Sequence, residues 1–156
     1  MAYSTHDEIA NFDFSESTIV KLTVTENQLD IRCGDVMIPT SNSQNTDVEK
    51  MGTDELLIRM KDIQKLEVKK DGYRIYNLDD TVREDIPDRV IPKEEWNSLF
   101  ESLEGQAIYS ITKENDCYVI CIDTAETEVS YTVSLEAQSD LESWEDHHRL
   151  PAYLRG

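Results

Sequence analysis

The sequence predicts an α+β domain rich in β-structure: a curved antiparallel sheet or a two-sheet stack, with one long helix and a short C-terminal helix. Two observations carry this. Short stretches of alternating apolar residues recur in both halves of the chain, and one strongly helical stretch lies between them. A length of 156 residues fits one domain, 1–156, able to bury about two thirds of the surface its unfolded chain exposes.

In IVKLTVTENQLDIRCGD, Val20, Leu22 and Val24 share one face. Glu26 and Asn27 then break the run, and Leu29, Ile31 and Cys33 share the next face, which predicts an antiparallel hairpin. Leu56, Ile58 and Met60 alternate in a following strand. The pair Asp71 and Gly72 predicts a two-residue turn, because such a turn needs positive φ at both positions, and it would set Val68 opposite Ile75. In IPKEEWNSLFESLEG, Trp96, Leu99, Phe100 and Leu103 recur at i, i+3, i+4 and i+7, with Pro92 opening the helix and Gly105 closing it. Glu94 and Glu95 sit where the helix dipole favours negative charge. Strands over 106–112, 117–123 and 128–135 follow. The expected core is Val20, Leu22, Leu29, Ile31, Ile58, Val68, Ile75, Trp96, Phe100, Val119, Val133 and Leu135, the apolar positions in phase with these elements.

In QSDLESWEDHHRL, Ser139 and Glu142 have the capping-box spacing, and Leu141, Trp144 and His148 share a helical face. The expectation is a short helix ending in His147 and His148. Adjacent histidines diverge on a helix, so no shared metal is expected there. ENQLDIRCGD from Glu26 and ENDCYVICID from Glu114 echo each other, but their apolar faces before the turn fall out of phase, which argues for two similar hairpins without duplication.

Three cysteines, Cys33, Cys117 and Cys121, in a chain whose amino terminus lacks a basic start and an apolar stretch, fit reduced thiols and a cytoplasmic protein. On a strand Cys117 and Cys121 would stand about 13 Å apart, too far for a disulfide, and are expected as small buried hydrophobes. The longest apolar run, Val119 to Ile122, is far too short to span a bilayer. Residues 40–55 read as a long, mobile, polar connection and 78–89 as an acidic linker.

Acids outnumber bases by 33 to 15, a formal charge of −18. The balance is −5 over residues 1–78 and −13 over 79–156. Such a field repels nucleic acid and anionic membrane and attracts basic proteins. The acidic run Asp79, Asp80, Glu84, Asp85 and Asp88 lacks the alternating acids and central glycine of a calcium loop, and no phosphate-binding loop, nucleophile elbow or supported Cys–His arrangement is present. No cofactor, metal or enzymatic activity is expected.

The stretch FDFSESTIVKLTVTENQLDIRC followed by VMIPTSNSQNTDVEKMGTDELLIRM, within residues 12–60, resembles the opening of a loosely related set of small β-rich bacterial proteins, some of immunity-protein type. The resemblance implies a binding role and assigns no functional residue. The function expected is therefore an acidic binding protein that neutralises a basic protein partner. That partner would be a toxin, a nuclease or another nucleic-acid-binding protein, with mimicry of DNA as one way of holding it. The expected contacts are Asp79, Asp80, Glu84, Asp85, Asp88, Glu142, Glu145 and Asp146, with Trp144 or Tyr153 as aromatic anchors. The alternative is a small β-rich enzyme or ligand carrier with a carboxylate-lined pocket. A convex acidic surface favours the first and a deep cleft with desolvated acids the second.

Overall fold

A computed structural model describes residues 2–154. Its strands are β1 (Tyr3–His6), β2 (Thr18–Thr25), β3 (Gln28–Gly34), β4 (Met37–Ile38), β5 (Met51–Thr53), β6 (Glu55–Met60), β7 (Lys65–Lys70) and β8 (Tyr73–Tyr76). They continue with β9 (Val82–Ile86), β10 (Arg89–Val90), β11 (Ala107–Glu114), β12 (Cys117–Asp123), β13 (Ser130–Glu136), β14 (Asp140–Trp144) and β15 (His147–Arg149). Ten form one antiparallel sheet in the order β1-β14-β6-β3-β2-β11-β12-β13-β7-β10; β15-β5-β4 and β8-β9 form two small ones. The single α-helix among the described residues, α1 (Trp96–Ser102), is short. The expected long helix begins as a 3-10 turn over Lys93–Glu95 and ends before Gly105, whose φ of 86° closes it.

The two central hairpins repeat each other. β2 and β3 pair Thr18 with Gly34 and Thr25 with Gln28, while β11 and β12 pair Ala107 with Asp123 and Glu114 with Cys117, a constant offset of 89 residues. Each first strand is bulged at the same place, between Ile19 and Lys21 and between Ile108 and Ser110. Each turn opens on a left-handed residue, Glu26 or Asn115. Ile19 N–H donates to the Gln106 carbonyl and Ile108 N–H to the Ser17 carbonyl, as a two-fold axis between β2 and β11 requires. The echo in the sequence is thus a true structural repeat, read one residue out of register. At offset 89 its apolar faces coincide: Leu22 with Ile111, Leu29 with Tyr118, Ile31 with Ile120.

Each wing adds a third strand, β6 beside β3 and β13 beside β12, and then the wings exchange. β7 follows β6 in the chain but pairs with β13; β14 follows β13 but pairs with β6. This removes the expected Asp71–Gly72 hairpin. Val68 faces Val133, β8 pairs with β9, and the Asp71 carboxylate accepts the hydroxyls of Ser130 and Thr132 instead of shaping a turn. Gly72 is needed for closeness, since a Cβ there would stand 2.2 Å from the Ile86 carbonyl.

The expected C-terminal helix is also replaced. Asp140, Glu142 and Trp144 alternate inward along β14, and β1 supplies a partner strand, Tyr3 opposite Trp144 and His6 opposite Leu141. Pairing across the whole length of the chain outweighs the local capping signal. His147 and His148 lie on β15, where neighbouring side chains diverge to opposite faces.

One cluster joins the inward side chains of both wings. Its shape follows from a single hydrogen bond: Tyr118 on β12 donates to Asp140 on β14 at 2.6 Å, although β12 and β14 stand five places apart in the sheet. In a flat sheet they would lie about 24 Å apart, so the sheet is strongly curled. Of the expected core, Val20 is exposed and Ile75, Trp96 and Val119 are half-buried. The bulge turns Val20 outward and leaves Ile19 inside, while on β12 the inward set is Tyr118, Ile120 and Ile122. Cys117 and Cys121 share the outward face with Val119, so Cys117 is exposed and Cys121 half-buried; Cys33 alone is buried, which pushes its thiol up to about 12. Residues 40–55 are anchored as well: Asn42 donates to the Asn11 carbonyl at 2.9 Å and Asn45 to the Ile38 carbonyl at 2.8 Å.

Candidate functional site

The run read as an acidic linker is a hairpin, β8–β9, outside the main sheet. Arg74 faces Asp85 and Ile75 faces Glu84; the loop between the strands is closed by Asn77 N–H to the Thr81 carbonyl at 2.8 Å. Asp79 caps that loop by accepting the Thr81 N–H at 3.1 Å, and hydrogen bonds from Thr81 hold its carboxyl below the usual range. Asp88 fastens the base. It accepts the Gly72 N–H at 2.6 Å and lies 3.3 Å from Lys69, and the same two groups lower its pKa.

Asp79, Asp80, Glu84, Asp85 and Asp88 are all exposed. Asp85 is engaged by Arg74 at 3.5 Å, whereas the carboxylates of Asp80 and Glu84 have no ion pair among the described residues. Beside them stand three apolar side chains that the charge pattern did not single out: Tyr76 and Val82, paired across the strands and 55% and 49% exposed, and Leu78, fully exposed in the loop. The only sequence signal for them is an apolar residue on either side of the polar run 79–81.

The second group of expected contacts is dispersed. Glu145 and Asp146 are exposed between β14 and β15, near one edge of the sheet order, whereas the hairpin follows β7 near the other. Tyr153 is exposed on the final 3-10 turn, Ala152–Leu154. Glu142 and Trp144 are buried, so neither stands on the surface beside Glu145 and Asp146. Trp144 stacks on Tyr3 with centroids 5.7 Å apart, meets Phe12 edge-on at 5.7 Å, and donates its indole N–H to His147 Nδ1 at 3.2 Å.

Glu142 instead belongs to a buried polar cluster that sequence reasoning did not assemble. Thr5 donates to Glu142 Oε1 at 2.7 Å and Ile9 N–H to Asp140 Oδ1 at 3.1 Å. Lys113 Nζ lies 3.5 Å from Asp7 and 3.7 Å from Asp140, and 5.0 Å from the centre of the Tyr118 ring. Glu142 Oε2 has no hydrogen-bond partner among the described residues. Loss of water and then the neighbouring Asp140 push the Glu142 carboxyl up to about 9, so it holds its proton at neutral pH. Burial, with Asp140 beside it, raises the Tyr118 phenol above its usual range. Burial also opposes ionisation of Asp7, but the Asp140 N–H, Lys113 and His6 outweigh it and hold its carboxyl low.

Two surface cavities of about 390 and 260 Å³ lie nearby, the first lined by Tyr3, Arg32 and Trp144, the second by Gly52, His148 and Tyr153; neither reaches Asp140 or Glu142. No group of His, Cys, Asp and Glu able to hold a metal ion occurs among the described residues, and none of their helices is long and apolar enough to cross a membrane. No family model, curated protein or solved structure matches the chain. The functional reading therefore rests on the chemistry of these sites.

Proposed function

We propose that the chain is an acidic binding protein that neutralises a basic protein partner, as an immunity protein or an inhibitor of a nuclease or other nucleic-acid-binding protein does. The observation that carries this reading is the β8–β9 hairpin, which holds Asp79, Asp80, Glu84 and Asp85 exposed on a frame already fixed by Asp79, Asp88 and Gly72. A hairpin backbone ordered before contact loses little conformational freedom on binding. A charge of −18 adds long-range steering toward a positive surface and repels nucleic acid and anionic lipid. The alternative, an enzyme or ligand carrier, draws on the desolvated pair Asp140 and Glu142, but the cavities beside them do not open onto the pair.

The test is affinity capture with two baits, the wild-type chain and one carrying lysine at positions 79, 80, 84 and 85. The reading expects a basic protein retained by the first, released as salt screens charges beyond roughly 8 Å, and absent from the second. Equal retention by both baits, or binding indifferent to salt, would reduce the acidity to a solubility device.

A further inference from the structure

We infer that the end of the β8–β9 hairpin is an apolar plug, and that the partner surface it fits is a basic one with an apolar pocket inside its positive rim. The inference rests on the binding role proposed above and adds the chemistry of the contact. Tyr76 and Val82 face each other across the last pair of the hairpin, and Leu78 projects from the loop they support. The loop is ordered by its own polar groups: Asn77 Nδ2 donates to Thr81 Oγ1 at 3.1 Å, and Asp80 N–H to the Asn77 carbonyl at 3.1 Å. Leu78 does nothing for that order, since it is fully exposed and absent from the core cluster.

Asp79 and Asp80 directly follow Leu78, and Glu84 and Asp85 lie along β9. An apolar tip set among carboxylates matches an apolar pocket rimmed by lysine and arginine, with the anchor buried and the charges at the rim. Charge selects among occupants. A second copy would bring another chain of charge −18 against the same acids, and an anionic lipid surface is repelled for the same reason. A flat phosphate-binding surface would accommodate the carboxylates and leave Leu78 in water.

Two synthetic peptides of equal length and charge provide the probe, one alternating lysine with leucine and the other lysine with serine. Wild-type protein is expected to bind the leucine peptide at least roughly tenfold more tightly in low salt, the worth of about one buried aliphatic side chain. L78S/V82S should erase that preference while keeping the salt-dependent binding of both peptides, and V20S/Y109S, on the exposed bulges of β2 and β11, should leave it intact. Equal binding of the two peptides by wild type, or a preference that survives L78S/V82S, overturns the plug and leaves the acidic surface standing. Binding of both peptides that persists after lysine is placed at 79, 80, 84 and 85 overturns the acidic reading itself. Failure of both peptides to bind overturns both readings.

Discussion

The two wings of the sheet share a backbone plan and differ in what they bury. In the wing of β11, β12 and β13, the donated strand β7 brings Leu66 and Val68 against Leu135 and Val133. In the wing of β2, β3 and β6, the matching places on the donated β14 are Asp140 and Glu142, against Met60 and Ile58. An apolar pair stabilises by burial alone. An acid pair in the same place needs partners: from the amino-terminal segment Thr5 donates to Glu142 and Ile9 N–H to Asp140, while Asp7 accepts the Asp140 backbone N–H, and Tyr118 and Lys113 reach Asp140 from the other wing. The difference teaches that one fold position can be filled for strength or for attachment. The covers differ too, α1 packing on β2 and the turn Ile9–Asn11 on β11.

The largest effects should test the equivalence. Phe100, buried on α1, should cost roughly 3–5 kcal/mol when replaced by alanine, and Ile31→Ala and Ile120→Ala roughly 2–5 kcal/mol each. Because Ile31 and Ile120 hold matching places, their losses in urea titrations should agree within about 1 kcal/mol, the usual scatter of context; a wider gap would break the comparison. A Phe100→Ala loss below about 1 kcal/mol would mean that the helix face is not packed as described.

The acid pair should reveal itself through pH. Glu142 holds its proton more tightly folded, at about 9, than unfolded, near its ordinary 4.5. Its contribution is therefore fully present below that lower value and is lost as pH rises toward the upper one, by at most roughly 1.4 kcal/mol per unit. Wild type should lose on the order of 2–4 kcal/mol between about pH 5 and pH 8 beyond what Glu142→Gln loses. Parallel stability curves for the two proteins would show that Glu142 is solvated.

Smaller effects belong to the hairpin. Lysine at positions 80, 84 and 85 should change stability by only about 0.5 kcal/mol per site, because all three are exposed, and lysine at 79, which also removes the loop cap, by about 1 kcal/mol, while the four together abolish capture of a basic partner. Reversal of Asp30 and Asp35 should disturb capture less, and Asp30 should register mainly as loss of its ion pair with Arg59, 2.9 Å away, worth about 1 kcal/mol or less. Should the two sets weaken capture equally, the contact would not be localised to the hairpin.

The parts of the fold legible in the sequence were those whose partners are near in the chain. The β2–β3 hairpin announced itself because Glu26 and Asn27 break a run whose two sides pair with each other. β14 did not, since its partners β1 and β6 lie far back in the chain, and Ser139 and Glu142 offered a local helix signal that long-range pairing overrides. The bulge beside Ile19 reversed the phase of Val20, and one residue of misalignment hid the repeat at offset 89. At the candidate site, composition pointed to the acids of the hairpin, but Tyr76, Leu78 and Val82 carry no periodicity, and only their exposure marks them.

Strand exchange also bears on the order in which the protein is made. The ribosome releases β6 well before β14, for Asp140 follows its partner Met60 by 80 residues. At about 5–20 residues per second, the outer edge of β6 waits roughly 4–16 s for its neighbour. During that time the first wing has a nascent hairpin and an open hydrogen-bonding edge but no fourth strand, and β1 has nothing to pair with. β1, made long before its partner β14, is thus among the last strands to dock, and a chaperone or another nascent chain has a few seconds in which to meet that edge first.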